Sequence, residues 1–443
     1  MGAHPGRVVV ELSGQAAKRG IIPRLPAGER LLADVEAWLR AEQADFVRAI
    51  GCGRRDERAT IAASLHPAAR DLVLEADDAG RVTATAETSG VGPGYQTYVA
   101  RLLERLGEDL SIEWEAVDAS DAQDTTDSSE RDRTGGRFVA TDRPAIERSH
   151  LAWLGSELAR AREARRRGAM DIPVGMPADV RFAADAALVT PLGPRDDAWL
   201  ERALADPRIA IDILPWWTDA TDARYLLARG MCLMWTEIRW RAPASDDERA
   251  VDDDALALLR RAFPLEPTLP YPWREWHELV ELRGASDAMA RQVAERSATG
   301  TPEPAGDPIG YRRREVTIVQ AGWQLDVPGS FTGRRTDDEW SGGEGGRRIT
   351  LAGTETGDER GPMRPQAFLD LVAADLGPDL VRHEDGPLVG RARIVEETSS
   401  GVSVGVLEGY SAIHGRGAAI RIEFDDPNDW AWAVERWKAL APA

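Results

Sequence analysis

Lysine is nearly missing from this chain: Lys18 and Lys438 are the only two among 55 basic side chains, and the rest are arginine. There is accordingly no Gly-Lys-Ser/Thr phosphate loop, no internal lysine placed for a Schiff base and no kinase-type strand lysine. Cysteine is as scarce. Cys52 and Cys232 lie far apart in dissimilar contexts, which excludes a disulfide framework, a Cys-x-x-Cys redox pair and a zinc cluster, and fits a reducing cytoplasm. Asparagine occurs once, at Asn428; with the arginine bias, this fits the codon usage of a GC-rich bacterial genome. No apolar run approaches the length of a bilayer span, so no membrane partner is expected. The opening Met1-Gly-Ala-His-Pro-Gly-Arg7 has no charged region followed by an apolar stretch, which argues against secretion. Gly6 stands where a myristoylation signal requires Ser or Thr.

What is present points to a globular, multidomain protein. The chain has 443 residues, 43% hydrophobic and 29% charged, long enough for two to four cores. A net charge of −20 disfavours nucleic acid, whose phosphates need a surplus of cations. An acidic surface instead fits a basic protein partner. Fifteen tryptophans are the largest apolar investment, and Trp216, Trp217, Trp235, Trp240, Trp273 and Trp276 fall in one stretch.

Residues 1–116 read as mixed α and β. A strand at 8–12 precedes a helix at 27–43, where Leu31, Leu32, Val35 and Leu39 repeat at helical spacing. Strands at 71–75 and 81–88 flank Asp77-Asp78-Ala79-Gly80, a hairpin turn signal. The loop Gly90-Val-Gly-Pro-Gly94 then leads into a helix at 95–106, and a strand at 111–115 closes the domain. Residues 117–138, rich in Asp, Ser and Thr, form a linker. The block 139–296 is mainly helical, with helices at 141–167, 196–204, 219–240, 252–263, 272–282 and 285–296. The arginines Arg160, Arg162, Arg165, Arg166 and Arg167 crowd the end of the first, which reads as a solvated face complementing the helix dipole.

Within that block Ala255, Leu259, Ala262 and Pro267 stand where the second helix of a tetratricopeptide repeat places its small, large, small and helix-ending residues. The segment resembles such helical hairpins, departing from them in the charged insertion between Trp240 and Asp252 and in Arg229, where an apolar residue is usual. A Pro/Gly linker at 297–309 leads to a β-rich region, 310–443. There Trp323-x-Leu-x-Val-Pro328, paired strands, an internal helix at 365–376 and a closing helix after Phe424-Asp-Asp-Pro427 resemble the PsbP-like fold. That resemblance implies an antiparallel sheet with flanking helices and a binding or assembly role without catalytic residues. In the closing helix Trp430, Ala433, Val434 and Trp437 share the face expected to meet the sheet.

Each chemical candidate has a plainer reading beside it. Gly90, Gly92 and Gly94 with Tyr95 place backbone N–H groups at a helix start, where an anion can rest. The spacing misses the dinucleotide fingerprint and Pro93 removes a donor, so a tight turn for close helix packing is the favoured reading. Gly401-Val-Ser403-Val-Gly405 has the letters of a nucleophile elbow, but Ser403 sits in a strand-like alternation and not at a strand-to-helix turn. His277 and Glu281 share a helix face without a third ligand. Trp273 and Trp276 fit interhelical packing or an aromatic wall for a partner. The tandem Trp216-Trp217 follows Pro215 in a loop, where one exposed ring would be an interaction candidate.

The sequence therefore predicts a multidomain α+β protein: an α+β domain at 1–116, a helical domain at 139–296 and a PsbP-like domain at 310–443. The expected function is non-enzymatic binding or scaffolding of another protein in the cytoplasm, with no cofactor, metal or catalytic residue. The alternative is an enzyme or nucleotide-binding protein built on the Gly90–Gly94 loop. The oligomeric state is open.

Overall fold

Apolar residues at every second position of the first strands, and at every third or fourth of the helices between them, build layered α+β units. The computed structural model describes residues 7–16, 27–55, 58–116, 142–176, 180–299, 308–336, 338–358, 361–377, 380–399 and 402–443. The linker read at 117–138 and Gly401 lie outside the described residues, as do 300–307 of the second linker. The chain divides into two compact units. The first comprises Met1–Pro177, Asp185–Thr236 and Ala255–Tyr271; the second comprises Ala178–Ala184, Glu237–Asp254 and Pro272–Ala443.

The first unit opens with β1 (Val9–Ala16), α1 (Ala27–Glu42), β2 (Ala49–Arg55), β3 (Arg58–Ser64), β4 (Leu72–Ala76), β5 (Arg81–Glu87), α2 (Pro93–Leu110) and β6 (Ile112–Ala116). The strands form one antiparallel sheet in the order β2-β3-β4-β5-β1-β6. Val10, Leu12, Ile61, Leu72, Leu74, Val82 and Ala84 are buried on one face. α1 lies against β3 and β4, and α2 against β1 and β6. Burying one such Leu or Val contributes ~1.5–3 kcal/mol, which is why the alternation fixes the register. The Asp77 carboxylate accepts from the Ala79 and Arg81 amides, and Gly80 has φ +82°, so the expected hairpin turn is present.

A helical part completes this unit. α3 (Arg143–Arg166) begins at Asp142, whose side chain accepts from the Ala145 amide. The segment after it, which has no sequence periodicity, supplies short strands: β7 (Ile172–Pro173), β8 (Val180–Phe182), β9 (Leu188–Thr190) and β10 (Gly193–Arg195). Of these β8 belongs to the second unit. α4 (Asp197–Ala205) and α5 (Ala223–Thr236) follow. Trp153, Leu158, Leu188, Trp199 and Ile213 form a buried core. The arginines at the end of α3 are paired: Arg165 with Asp197, Arg160 with Glu157, and Arg167 with Glu163.

α6 (Asp246–Leu265) serves both units, its residues to Asp254 in the second and the rest in the first. The second unit adds α7 (Trp273–Leu282), α8 (Ala288–Thr299), β11 (Glu315–Gln320), β12 (Trp323–Pro328), β13 (Thr332–Arg335), β14 (Glu339–Glu344), β15 (Arg347–Glu355), β16 (Gly357–Asp358), β17 (Gly361–Pro362), α9 (Pro365–Val372), β18 (Val381–Asp385), β19 (Leu388–Ser399), β20 (Val402–Ile413), β21 (Arg416–Phe424), α10 (Trp430–Lys438) and β22 (Ala441–Pro442). Seven strands make an antiparallel sheet, β13-β14-β15-β21-β20-β19-β18, and four make another, β22-β12-β11-β8. Trp437 of α10 is fully buried against Gly390 and Gly409, where any side chain would displace its ring. Trp430, expected to face the sheet beside it, is 41% exposed and meets Phe424 only edge-on, because it begins the helix. This is the multidomain α+β layout with a C-terminal antiparallel sheet and flanking helices that the sequence predicts.

Candidate functional site

The glycine loop and the tandem tryptophan, separate candidates in the sequence, meet in the first unit. The Val91 and Gly92 amides donate to the Thr88 carbonyl at 3.1 and 3.0 Å. The Trp216 amide donates to the Val91 carbonyl at 2.9 Å, and the Gly94 amide returns a bond to the Trp216 carbonyl at 3.0 Å. A Cβ on Gly94 would stand 2.0 Å from the Thr218 carbonyl oxygen, and one on Gly92, whose φ is +121°, 2.7 Å from that of Trp216. The glycines therefore let a second backbone lie directly on the start of α2. The N–H groups an anion would need at Val91, Gly92 and Gly94 are already bonded, and Pro93 has none.

That close approach seats Trp216 in an aromatic cluster. Its ring centroid is 4.2 Å from Tyr225, 5.2 Å from Tyr98, 5.9 Å from Phe46 and 6.1 Å from Tyr95. Arg229 of α5 lies 5.3 Å over Phe46 and donates to the Tyr225 hydroxyl at 3.0 Å and the Phe46 carbonyl at 3.2 Å. It is only 5% exposed, and no carboxylate pairs with it among the described residues, so the aromatic faces and these acceptors carry its charge. His66, fully buried, accepts from the Ala68 amide through Nδ1 at 3.1 Å, which leaves the proton on Nε2. Burial, then the charges of Arg229 and Arg48, hold its pKa well below the usual histidine range. Burial likewise pushes the Tyr95 and Tyr98 phenols far above theirs. His66 Nε2, the Tyr95 hydroxyl, Trp216 Nε1 and Arg229 Nε have no hydrogen-bond partner among the described residues. All four can donate.

Two members of this cluster, Tyr98 and Trp216, line a groove of about 220 Å³. Gly94, Tyr98, Arg101 and Arg105 line it from one stripe of α2, spaced four, three and four residues apart, with Gln43, Trp216 and Asp219 opposite. The Tyr98 hydroxyl donates to Gln43 Oε1 at 3.0 Å. Arg101 reaches Asp219 at 3.7 Å and Arg105 reaches Glu42 at 3.3 Å, both as solvent-exposed pairs. Arg143 binds the same Asp219 and the Trp217 carbonyl, fixing that wall. An aromatic floor beneath two arginines suits an apolar group carrying a carboxylate.

The other sequence candidates fall elsewhere. Trp217 is partly buried, packed on the helical core. Trp273 and Trp276 stack at 5.4 Å in the second unit, with Trp276 fully buried and Arg296 over Trp273. Ser403 lies within β20 and its hydroxyl is 3.2 Å from that of Thr398, away from any strand-to-helix turn. His277 pairs with Glu281 at 3.7 Å, and no group of three potential metal ligands occurs among the described residues. Sequence reasoning missed Phe46, His66, Tyr98, Tyr225 and Arg229 as site residues. Only Arg229 carried a signal, as a cation at a position that helical hairpins keep apolar.

No family model matches the chain, and no curated protein matches it. Among solved structures, a crystal structure of a protein from Bacteroides thetaiotaomicron VPI-5482 is similar over 30% of this chain, with 6% identity and a TM-score of 0.25. The match spans about half of that chain, 49%. A likeness of that extent carries no argument about function. No helix among the described residues is long and apolar enough to cross a membrane.

Proposed function

We propose that the protein is a non-enzymatic binding protein of the cytoplasm, and that the α2 groove of the first unit holds a segment of a partner protein. The observation that carries this reading is the seat of Trp216: reciprocal backbone bonds to the glycine loop lock it, with Tyr98, as the floor of the groove. A floor held by backbone is preorganised, so a ligand meets little ordering cost. The partner side chain placed there would be apolar or aromatic. Its neighbouring carboxylate would displace Asp219 or Glu42 from Arg101 or Arg105, a cheap exchange because exposed pairs are worth ~0–1 kcal/mol. The C-terminal sheet with its closing helix supports the PsbP-like reading of the second unit, and with it an assembly role. Cys52 and Cys232 form no disulfide with each other, which suits a reducing compartment.

The test is selection of peptides from a random display library on the immobilised full chain, followed by calorimetry. Enriched peptides should carry an aromatic or large aliphatic residue beside Asp or Glu. Arg101→Glu with Arg105→Glu should weaken them at least tenfold, and Tyr98→Ala similarly. Failure to enrich any peptide, or affinities indifferent to these changes, would refute the groove.

A further inference from the structure

The second unit contains a separate cavity of about 300 Å³, in the stretch the sequence shows only as a charged insertion. Arg239, Arg241, Glu248, Asp252, Arg312 and Thr332 line it. Most of these groups are committed to one another. Arg241 clamps Glu248 through two bonds of 2.7 and 3.0 Å and also donates to the Ser330 carbonyl at 2.7 Å. Glu248 further accepts from the Ala244 amide at 2.7 Å and from the Thr332 hydroxyl. Arg239 donates to the Phe331 and Glu237 carbonyls at 2.9 and 2.7 Å and lies 3.3 Å from Glu248. Arg312 stacks over Phe182 at 5.6 Å.

Asp252 is the exception. It is 4% exposed, lines the cavity, and has neither a hydrogen bond nor an ion pair among the described residues. The nearby cation Arg283 is taken by Asp253, through bonds of 3.0 and 3.1 Å. A carboxylate that is desolvated and left without a partner is costly, and the cost is recovered when a cation enters. Burial accordingly pushes the Asp252 carboxyl up to about 6, Arg283 and Arg241 opposing and Asp253 and Glu248 reinforcing. The charge that is missing is positive, since the arginines here already have acceptors. Among the described residues no three potential metal ligands converge, so a bare metal ion lacks its shell. Pro243 and Val251 add apolar wall, and the volume holds roughly ten waters or one alkyl guanidinium.

We propose that this cavity binds an organic cation, a guanidinium or ammonium group on an alkyl stem, through the carboxylate of Asp252. A basic side chain of a protein and a free amine share that chemistry. The proposal is independent of the groove in the first unit.

Calorimetry on the full chain at pH 7.5 separates the two sources with N-propylguanidine and the peptide acetyl-Gly-Arg-Gly-amide, using N-propylurea as the uncharged isostere. At least one cationic probe should bind, the urea should not, and Asp252→Asn should weaken binding at least tenfold while the melting curve stays cooperative. Carbon NMR of the aspartate carboxyls should show the Asp252 titration moving to lower pH when the probe is added. Binding of the peptide alone would assign the site to a basic protein segment, and of the free guanidine alone to a small amine. If neither cation binds, if the urea binds equally, or if Asp252→Asn binds as well as the natural chain, the proposal fails.

Discussion

Glu248 and Asp252 stand one turn apart on α6, yet their surroundings drive them in opposite directions. Burial opposes the charge of both. For Glu248, Arg241, the Thr332 hydroxyl and the Ala244 amide outweigh it and hold the pKa down at about 2. Asp252 has no such donors and rises to about 6. Its folded value lies above the ordinary aspartate value of 3.8, so ionisation works against the fold. That penalty is absent below about pH 4, grows through pH 4–6 and is constant above. Asp252→Asn should therefore raise stability at pH 7 by about 1–3 kcal/mol and leave it unchanged near pH 4. Urea denaturation at the two pH values would check this, and an equal gain at both would contradict the assignment. The helix expected at 252–263 in fact begins at Asp246, where the Glu248 amide donates to the Ser245 hydroxyl at 3.2 Å. Nothing in the sequence shows that Arg283 chooses Asp253 and leaves Asp252 alone.

The glycine loop shows why an element's purpose is harder to read than its existence. Its tight turn and its place before a helix were legible, as were β1, α1, the β4–β5 hairpin and α2, because each buries one periodic face. What the glycines admit was not, since the segment crossing them is more than 120 residues away in the chain. Gly94→Ala should force the Thr218 carbonyl and the Trp216 ring away from α2. It should cost about 2–4 kcal/mol, as overpacking against backbone cannot relax by rotamer change. The loss should appear as a lower melting temperature together with altered tryptophan fluorescence. A variant as stable as the natural chain would show that the crossing backbone is not held there. Four of the longer strands that escaped sequence reading lack the usual signal. β2, β13 and β18 are exposed or partly exposed and lie at or beside sheet edges, and β14 is rich in glycine. None presents a clean alternation.

The two units carry buried titrations of opposite sign. His66 in the first is neutral and fully buried, with a folded pKa below the ordinary 6.5, so its contribution is complete above pH 6.5 and is lost as the pH falls. His150 is shifted the same way, chiefly by burial. Asp252 in the second gains as the pH falls from 6 to 4. Hydrogen exchange followed from pH 6.5 to 5, corrected for intrinsic rates, should show α2 and β3 losing protection while the start of α6 holds or gains it. His66→Gln should flatten the first response; a parallel loss in both units would contradict the separation. Composition and periodicity suggest three consecutive domains, at 1–116, 139–296 and 310–443, whereas the chain clusters into two units that each draw on separate stretches of sequence. β8 pairs with β11 through Val316↔Phe182, Thr317↔Arg181 and Ile318↔Val180, a partnership that no local pattern announces. A fragment cut at residue 310 would consequently leave the β11 backbone bare along Val316–Ile318, an adhesive seam inviting self-association. Any loss of binding after such a truncation would report a torn sheet as readily as a missing recognition surface.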